Sequence, residues 1–183
     1  RAGSTGFYSE GGNGLIDSLK MIYEWDAGLD NGYADSYVGI RFLGATPEAG
    51  NTFYNAWVYR NANGDEWQQS PVDDEQKYRR LSSTFLNQVT IDEAALLLQK
   101  PGSRTSLIST GPYIRLEPGD SIKVNFAVIC AKRTGLQNLD NEQTRKTLVA
   151  NANWAQRAYN GTDQNGNNLL DANEIDLNGD GKI

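Results

Sequence analysis

Residues 163–174 combine residue types and a spacing that could bind a metal ion. Oxygen-bearing side chains occupy the first, third, fifth, ninth and twelfth places of this stretch. This spacing wraps a short loop around a hard cation, and the flexible, oxygen-rich geometry suits Ca²⁺ better than Mg²⁺. We therefore predict that residues 163–174, the first loop, bind Ca²⁺. The predicted ligands are Asp163, Asn165, Asn167, the backbone carbonyl of Leu169, Asp171 and both carboxylate oxygens of Glu174.

The first loop resembles an EF-hand-type calcium loop, of the kind also found in dockerins and other bacterial extracellular calcium repeats. Its sixth place holds Asn168, whereas that family prefers Gly there because the backbone adopts a positive φ. Asn is the next most tolerant residue for this conformation. The alternative is a surface tail without metal, since Asn, Asp and Gly also fill ordinary turns.

A second cassette with the same spacing follows at residues 176–183, the second loop. It stops at its eighth place, so the ninth and twelfth ligands are missing from it. We expect that either a longer chain completes it or oxygens from elsewhere do. Its candidate ligands are Asp176, Asn178, Asp180 and Lys182.

The first loop directly follows a predicted helix. Residues 140–143 have a capping pattern, apolar residues then recur at helical spacing, and Asn160-Gly161 ends the helix two residues before the loop. Bound calcium would therefore fix the end of this helix and join the tail to the rest of the chain. Because calcium sensors normally carry paired complete loops, we expect a structural clamp rather than a switch.

Composition excludes several classes of function. The chain of 183 residues has no histidine, one cysteine and a net charge of −6. Catalysis by Ser-His-Asp or Cys-His groups and His-ligated zinc are therefore excluded. The acidic balance argues against nucleic-acid binding, and no apolar run is long enough for a membrane span. Cys130 lies in an apolar run, and we predict that it is buried and that no disulfide framework exists.

Alternating apolar residues predict six strands, at 18–25, 37–43, 52–60, 105–109, 113–116 and 121–131. We expect the last of these to be the central core strand. Its side chains that point one way are Ile122, Val124, Phe126, Val128 and Cys130. Capping patterns predict three helices. Ser70 is expected to cap the first and Thr90 the second, and the third is expected to begin after Asp140.

These elements predict a mainly β fold: an antiparallel, jelly-roll-like β-sandwich with about three accessory helices and a C-terminal calcium loop. Three regions are expected along the chain. Residues 1–14 form a Gly-rich lead-in or edge arm, residues 15–160 form the sandwich with its helices, and residues 161–183 form the calcium-binding tail.

A second resemblance lies in the second half of the chain. Residues 111–127 read GPYIRLEPGDSIKVNFA, and the helix that follows carries spaced alanines such as Ala155 and ends with Tyr159. This pattern resembles a module of large secreted multidomain proteins of Bacteroidota and related bacteria. The resemblance implies secretion and a β-sandwich and does not imply any particular chemistry.

We consider three functions. The first is a non-catalytic extracellular structural or adhesive module, calcium-stabilised, at the cell surface as a subunit of a surface layer or filament. Its partners would be further copies or other modules of the same assembly. The alternative is a carbohydrate-binding module with an aromatic platform. The platform would comprise Tyr23, Tyr33, Tyr37, Tyr54, Trp57, Tyr59 and Trp67.

The third function is a carboxylate-based glycoside hydrolase. The acidic residues Glu24, Asp26, Asp30 and Asp35 are its candidates, although nothing in the sequence selects a catalytic pair from them. We therefore expect that the chain is not an enzyme.

Overall fold

The computed structural model describes residues 11–28, 34–48, 50–58, 65–135 and 140–183. The strands in these ranges are β1 (Gly11–Ile16), β2 (Met21–Asp26), β3 (Ser36–Thr46), β4 (Thr52–Val58), β5 (Arg104–Thr110) and β6 (Lys123–Lys132). The α-helices are α1 (Asp74–Ser82), α2 (Ile91–Leu98) and α3 (Glu142–Asn160). Strand and helix make up 32% and 29% of the described residues. The antiparallel strands and accessory helices are as predicted, but the fold is mixed α/β rather than mainly β.

A four-stranded antiparallel sheet in the order β1-β2-β3-β6 forms the centre of the molecule. Its strands alternate, so that Met21, Tyr23 and Trp25 of β2 all point to one face. Helix α3 covers this face, and Leu148 and Ala152 on the helix are fully buried there. In this core the rings of Tyr23, Trp25 and Tyr37 pack edge to face or stacked.

The opposite face of this sheet is covered by a two-stranded antiparallel sheet of β4 and β5. This small sheet packs over β1 and β2, and Ile22, Tyr54 and Ala56 belong to a second core there. Helix α2 adds Ala94 and Leu98 to that core. The small sheet therefore covers the half of the central sheet that β1 and β2 form.

A buried polar cluster holds the start of α3 against the central sheet. Asp140 accepts hydrogen bonds from the Tyr23 and Tyr37 hydroxyls, both at 2.8 Å, and pairs with Arg145 at 2.7 Å. The Thr144 hydroxyl lies 2.9 Å from the Tyr37 hydroxyl. Burial and the neighbouring Asp140 charge raise the pKa of Tyr23, so its hydroxyl stays protonated and donates to the carboxylate. We call these five residues the anchor cluster.

Helices α1 and α2 each begin with a capping side chain, and the cap of α1 differs from the predicted one. Thr90 and Glu93 form the predicted capping box of α2, because each side chain bonds the other's backbone N–H. At α1 the cap is Asp73, whose carboxylate accepts the Gln76 N–H at 2.8 Å. The prediction that Ser70 caps this helix is wrong, since its hydroxyl instead donates to the Val58 carbonyl.

The β5–β6 region differs most from the sequence prediction. Residues 113–116 form no strand, and Ile114 is fully exposed. Strand β6 exists, but within the described residues it lies at the edge of the central sheet and not at its centre. Ile129 and Ala131 are its buried residues, whereas Val124, Phe126, Val128 and Cys130 are exposed. The predictions of a central strand and of a buried cysteine are therefore both wrong.

Candidate calcium site

The C-terminal tail starts where α3 ends. Gly161 donates its N–H to the Arg157 carbonyl at 2.9 Å and has a φ of +121°, which takes the chain out of the helix. The first loop begins two residues later, at Asp163. The predicted entry helix is therefore present and directly precedes the first loop.

The first loop folds through side chains that bond its own backbone. Asp163 accepts the N–H groups of Gly166 at 2.6 Å and Asn168 at 2.9 Å. The side-chain oxygens of Asn165 and Asn167 each accept an N–H two residues further on, at 3.0 and 2.7 Å. These turns form because short Asx side chains reach the following backbone N–H groups.

The second loop repeats these bonds place for place. Asp176 accepts the N–H groups of Gly179 at 2.6 Å and Gly181 at 2.7 Å. Asn178 and Asp180 each accept an N–H two residues further on, both at 2.9 Å. The fourth and sixth places have positive φ in both loops: Gly166 and Asn168 in the first, Gly179 and Gly181 in the second. The two loops thus share one backbone fold although their sequences differ.

Glu174 closes the first loop. Its carboxylate accepts the Gln164 N–H at 2.6 Å and the Asp171 N–H at 3.0 Å, so the twelfth place reaches back to the second. The Asp171 carboxylate accepts the side-chain amides of Asn165 at 2.5 Å and Asn167 at 2.9 Å. All the predicted side-chain ligands of the first loop are therefore within one hydrogen-bonded unit.

Backbone N–H groups lower the pKa of both leading aspartates. Hydrogen bonds, chiefly from Asn168, lower the pKa of Asp163, and partial desolvation opposes this. Hydrogen bonds, chiefly from Gly181, lower the pKa of Asp176 in the same way. Both carboxylates are ionised at neutral pH, which is the form that binds a cation.

The second loop is attached to the body of the protein. The Leu177 N–H donates to the Asn160 carbonyl at 3.0 Å, and Asp176 pairs with Gly161 as an isolated antiparallel bridge. Lys182 lies 3.2 Å from the Glu48 carboxylate, in the segment that joins β3 and β4. A cleft of about 410 Å³ separates this loop from β3 and the end of α3. The tail therefore contacts two different parts of the domain.

Acidic side chains alone do not form a metal cage in the described part of the chain. No group of three or more His, Cys, Asp or Glu side chains there is placed to hold a metal ion. In the first loop the carboxylates of Asp171 and Glu174 bond N–H groups of the loop itself. The predicted ligand set draws its other oxygens from Asn side chains and the Leu169 carbonyl, donors of the kind that Ca²⁺ accepts. The donor chemistry fits calcium, and calcium ligation stays a prediction.

The aromatic platform expected for sugar binding is not formed by the described residues. Tyr23, Tyr37, Tyr54 and Trp67 are buried, each with at most 4% of its surface exposed. Trp57 is half-buried, and Tyr33 and Tyr59 lie outside the described residues. These rings build the two cores because β-strands bury alternate aromatic side chains.

The carboxylates considered for catalysis form hydrogen bonds or ion pairs with other residues of the domain. Glu24 accepts bonds from Asn13 and Ser106, Asp26 accepts the N–H groups of Gly28 and Ala34, and Asp35 pairs with Lys132. Asp30 lies outside the described residues. A cleft of about 540 Å³ beside Trp67 contains Glu66 and Glu93, but Glu66 pairs with Arg79 and Glu93 caps α2. A facing pair of carboxylates suited to glycoside hydrolysis is not seen among these residues.

Two features were missed by sequence reasoning. The anchor cluster joins residues more than 100 positions apart, and its only local signal is that Asp140 precedes the helix cap. The exposed apolar face of β3 and β6 had a signal, since β6 is apolar on both sides. That pattern was assigned to a central strand instead.

No helix in the described ranges is both long and apolar enough to cross a bilayer.

Comparison of the chain with protein-family models, curated proteins and solved structures returns no match. The resemblances to calcium loops and to secreted modules therefore rest on the residues quoted above.

Proposed function

We propose that this chain is a non-catalytic structural or adhesive module that acts outside the cell, with calcium stabilising its C-terminal tail. The observation that carries this proposal is the pair of loops with one backbone fold, docked on the end of α3. A loop whose carboxylates and amides already fold onto it requires little reorganisation to accept an ion. Millimolar extracellular calcium suits a site with a dissociation constant on the order of 10⁻⁴ to 10⁻³ M.

In this proposal calcium acts as a clamp. Asp163, Asn165, Asn167, Leu169, Asp171 and Glu174 would hold one ion. Asp176, Asn178, Asp180 and Lys182 would contribute part of a second site. Because the second loop contacts Asn160 and Glu48, ordering the tail would stabilise α3 and the β3–β4 connection together. The module would then withstand unfolding when it is part of a surface layer or filament.

The proposal extends to the fold and the setting. We propose that the two sheets form an incomplete jelly-roll-like sandwich, since the small sheet packs face to face on β1 and β2. Secretion and a place at the cell surface are supported by the resemblance of residues 111–127 to secreted modules. Treatment of intact source cells with protease, followed by detection of this chain, tests the location.

The calcium proposal is tested by calorimetry with and without a chelator. We expect calcium to raise the melting temperature and Mg²⁺ to raise it much less. Glu174→Gln keeps the shape of the side chain but removes its charge, so it should abolish most of the calcium-dependent rise. Glu117→Gln, in an exposed turn outside the tail, is the matched control and should respond to calcium like the wild type. Equal melting temperatures with calcium and with chelator would contradict the proposal.

A further inference from the structure

The segment between β5 and β6 carries an arginine in an exposed stretch of irregular backbone. Residues 111–122 form neither helix nor strand. Within the described part of the chain, the backbone of residues 113–116 makes no hydrogen bond. Ile114 is fully exposed, Leu116 is half exposed, and the Arg115 side chain is 80% exposed. The peptide bond between Arg115 and Leu116 is therefore accessible to another protein.

The contacts beside this bond are weak. The Asp120 N–H donates to the Glu117 carbonyl at 2.9 Å, and the Glu117 N–H donates to the Asp120 carboxylate at 2.8 Å. This turn fixes the residues after the bond and leaves residues 113–116 unpaired. Arg115 pairs with Glu117 in solvent. Because exposed ion pairs contribute little, a better partner for the guanidinium group can take Arg115 from Glu117.

Other basic residues of the described chain are less suited to cleavage. Most of them lie in helices or strands, where the hydrogen-bonded backbone must open before a protease can bind it. Lys100 directly precedes Pro101, and proteases that cut after basic residues do not cut before proline. Lys20 is followed by Met21, which is fully buried.

Two further basic residues lie outside the helices and strands and are held by burial or by contacts. Arg133 is buried. The Lys182 N–H donates to the Asp180 carboxylate at 2.9 Å, and its ammonium group lies 3.2 Å from Glu48. Of the basic residues that the structure describes, Arg115 therefore precedes the most accessible peptide bond.

The residues around this bond match an extended substrate. Alternation predicts a strand at residues 113–116, yet no described strand pairs with them. A peptide bound in extended form places alternate side chains in pockets of its partner. The acidic specificity pocket of a trypsin-like protease binds an Arg side chain. Ile114 and Leu116 expose apolar side chains on either side of Arg115, so neighbouring pockets can take them without unfolding the domain.

We propose that an extracellular protease of trypsin-like specificity hydrolyses the Arg115–Leu116 bond as a maturation step. The oxygen of water joins the Arg115 carbonyl carbon and its two protons pass to the Leu116 nitrogen, which leaves a carboxylate and an ammonium group. Both new charges stay in solvent, so neither has to be buried. Contact with such a protease rests on the extracellular location in the proposed function, whereas the accessibility of the bond does not.

The cut protein keeps the contacts that hold its two fragments together. Strand β6 pairs with β3 along its whole length, from Lys123 to Lys132. Helix α3 buries Leu148 and Ala152 against the central sheet. These contacts join residues 1–115 to residues 116–183 without the covalent link. Hydrolysis therefore yields a folded two-chain module and does not begin its degradation.

The site is tested by limited digestion of the calcium-loaded protein with trypsin, followed by mass spectrometry and size-exclusion chromatography. We expect the first cut after Arg115, and we expect the two fragments to elute together. Arg115→Gln removes the charge that the specificity pocket binds and should slow the first cut by more than about tenfold. Lys146→Gln, at an exposed place on α3, is the matched control and should be cut like the wild type. Circular dichroism confirms that both variants fold.

The maturation step is tested on the chain isolated from its source cells. We expect a fragment whose amino terminus is Leu116, identified by terminal sequencing. An intact chain outside the cell would reject the maturation step, even if trypsin cuts the purified protein at this bond.

Other results of the digestion overturn the site or the survival of the fold. A first cut at another basic residue, or an equal rate in Arg115→Gln, would reject the site. Fragments that separate would show that the cut is degradative. A chain that stays inside the cell would reject the proposed location instead, and the calcium-dependent melting temperature tests the clamp independently of all these results.

Discussion

Asn168 and Gly181 hold the same place in the two loops, with φ values of +59° and +78°. Both residues accept this left-handed backbone, Gly because it has no Cβ and Asn because its short side chain tolerates the conformation. The N–H of each donates to the aspartate at the first place of its loop. The residue at the sixth place therefore sets the hydrogen bond that lowers the pKa of that aspartate.

Asn168→Gly should stabilise the folded form of the first loop. Asn168 has a φ of +59° there, and removing its Cβ relieves strain of about 1 kcal/mol. Hydrogen exchange of the Gly166 and Leu169 amides should therefore slow by up to about fivefold relative to the intrinsic rate. Asn173→Gly, which makes the same substitution at a place without positive φ, is the control and should not slow this exchange. Unchanged or faster exchange in Asn168→Gly would contradict this account of the sixth place.

Acid should loosen both loops together. Asp163 and Asp176 have lowered pKa values in the folded protein, so their contribution to stability is present above the unfolded aspartate value of about 3.9. This contribution to stability is lost as the pH falls from about 3.9 through the lower pKa values of the folded protein. Hydrogen exchange of the Gly166, Asn168, Gly179 and Gly181 amides should accelerate, relative to the intrinsic rate, only below about pH 4. Loosening centred above that pH would exclude these carboxylates as its cause.

Helix α3 joins the central sheet to the C-terminal tail. Its first turn is held by the anchor cluster, its middle buries Leu148 and Ala152, and its last residues receive the second loop. Arg41 adds a bond from β3, donating to the Ala152 carbonyl at 2.6 Å. The position of the tail therefore depends on how firmly α3 is fixed to the central sheet.

Asp140→Asn should destabilise the protein by about 2–4 kcal/mol, because it leaves Arg145 and the two tyrosine hydroxyls with a poorer partner in a buried site. The Asp140 side chain is 1% exposed. Asp74→Asn is the control, since it removes an exposed ion pair with Lys77 and should cost less than about 1 kcal/mol. Urea denaturation of both variants gives the comparison. Equal effects would mean that the anchor cluster contributes no more than a surface pair.

The C-terminal tail and the rest of the domain meet at Gly161. A Cβ added there would lie 2.0 Å from the Ile175 carbonyl oxygen, and the φ of +121° also disfavours any other residue. The bridge between Gly161 and Asp176 needs this close approach. Glycine at this place therefore permits the second loop to dock on α3.

Gly161→Ala should separate the tail from the domain. The clash and the strained backbone would cost on the order of 1–3 kcal/mol of docking free energy. The first loop should still bind calcium, but calcium should then raise the melting temperature of the domain less than in the wild type. Calorimetry with and without calcium measures this coupling. Gly50→Ala, at a place with open space around it, serves as the control. If calcium raised the melting temperature of Gly161→Ala as much as that of the wild type, docking at Gly161 would not be what couples calcium binding to the stability of the domain.

Most local features of this protein follow from neighbouring residues, with the cap of α1 and the strand expected at residues 113–116 as exceptions. The Thr90–Glu93 capping box, the alternation of Met21, Tyr23 and Trp25, and the end of α3 at Asn160 were predicted, and the structure confirms them. The Asx turns of the two loops are local as well, because each bond joins residues two to five positions apart. Interactions of such short range depend on the neighbouring residues and little on the rest of the chain.

Which surfaces are covered depends on contacts between distant parts of the chain. The alternation in β6 showed two apolar sides but not that Ile129 and Ala131 face α3 while Val128 and Cys130 remain exposed. The position of β6 at the sheet edge and the pairing of Asp140 with Tyr23 and Tyr37 are likewise contacts between distant parts of the chain. Burial depends on which other layer reaches a strand. The small sheet extends over β1 and β2 only, and no pattern within β6 itself carries that information.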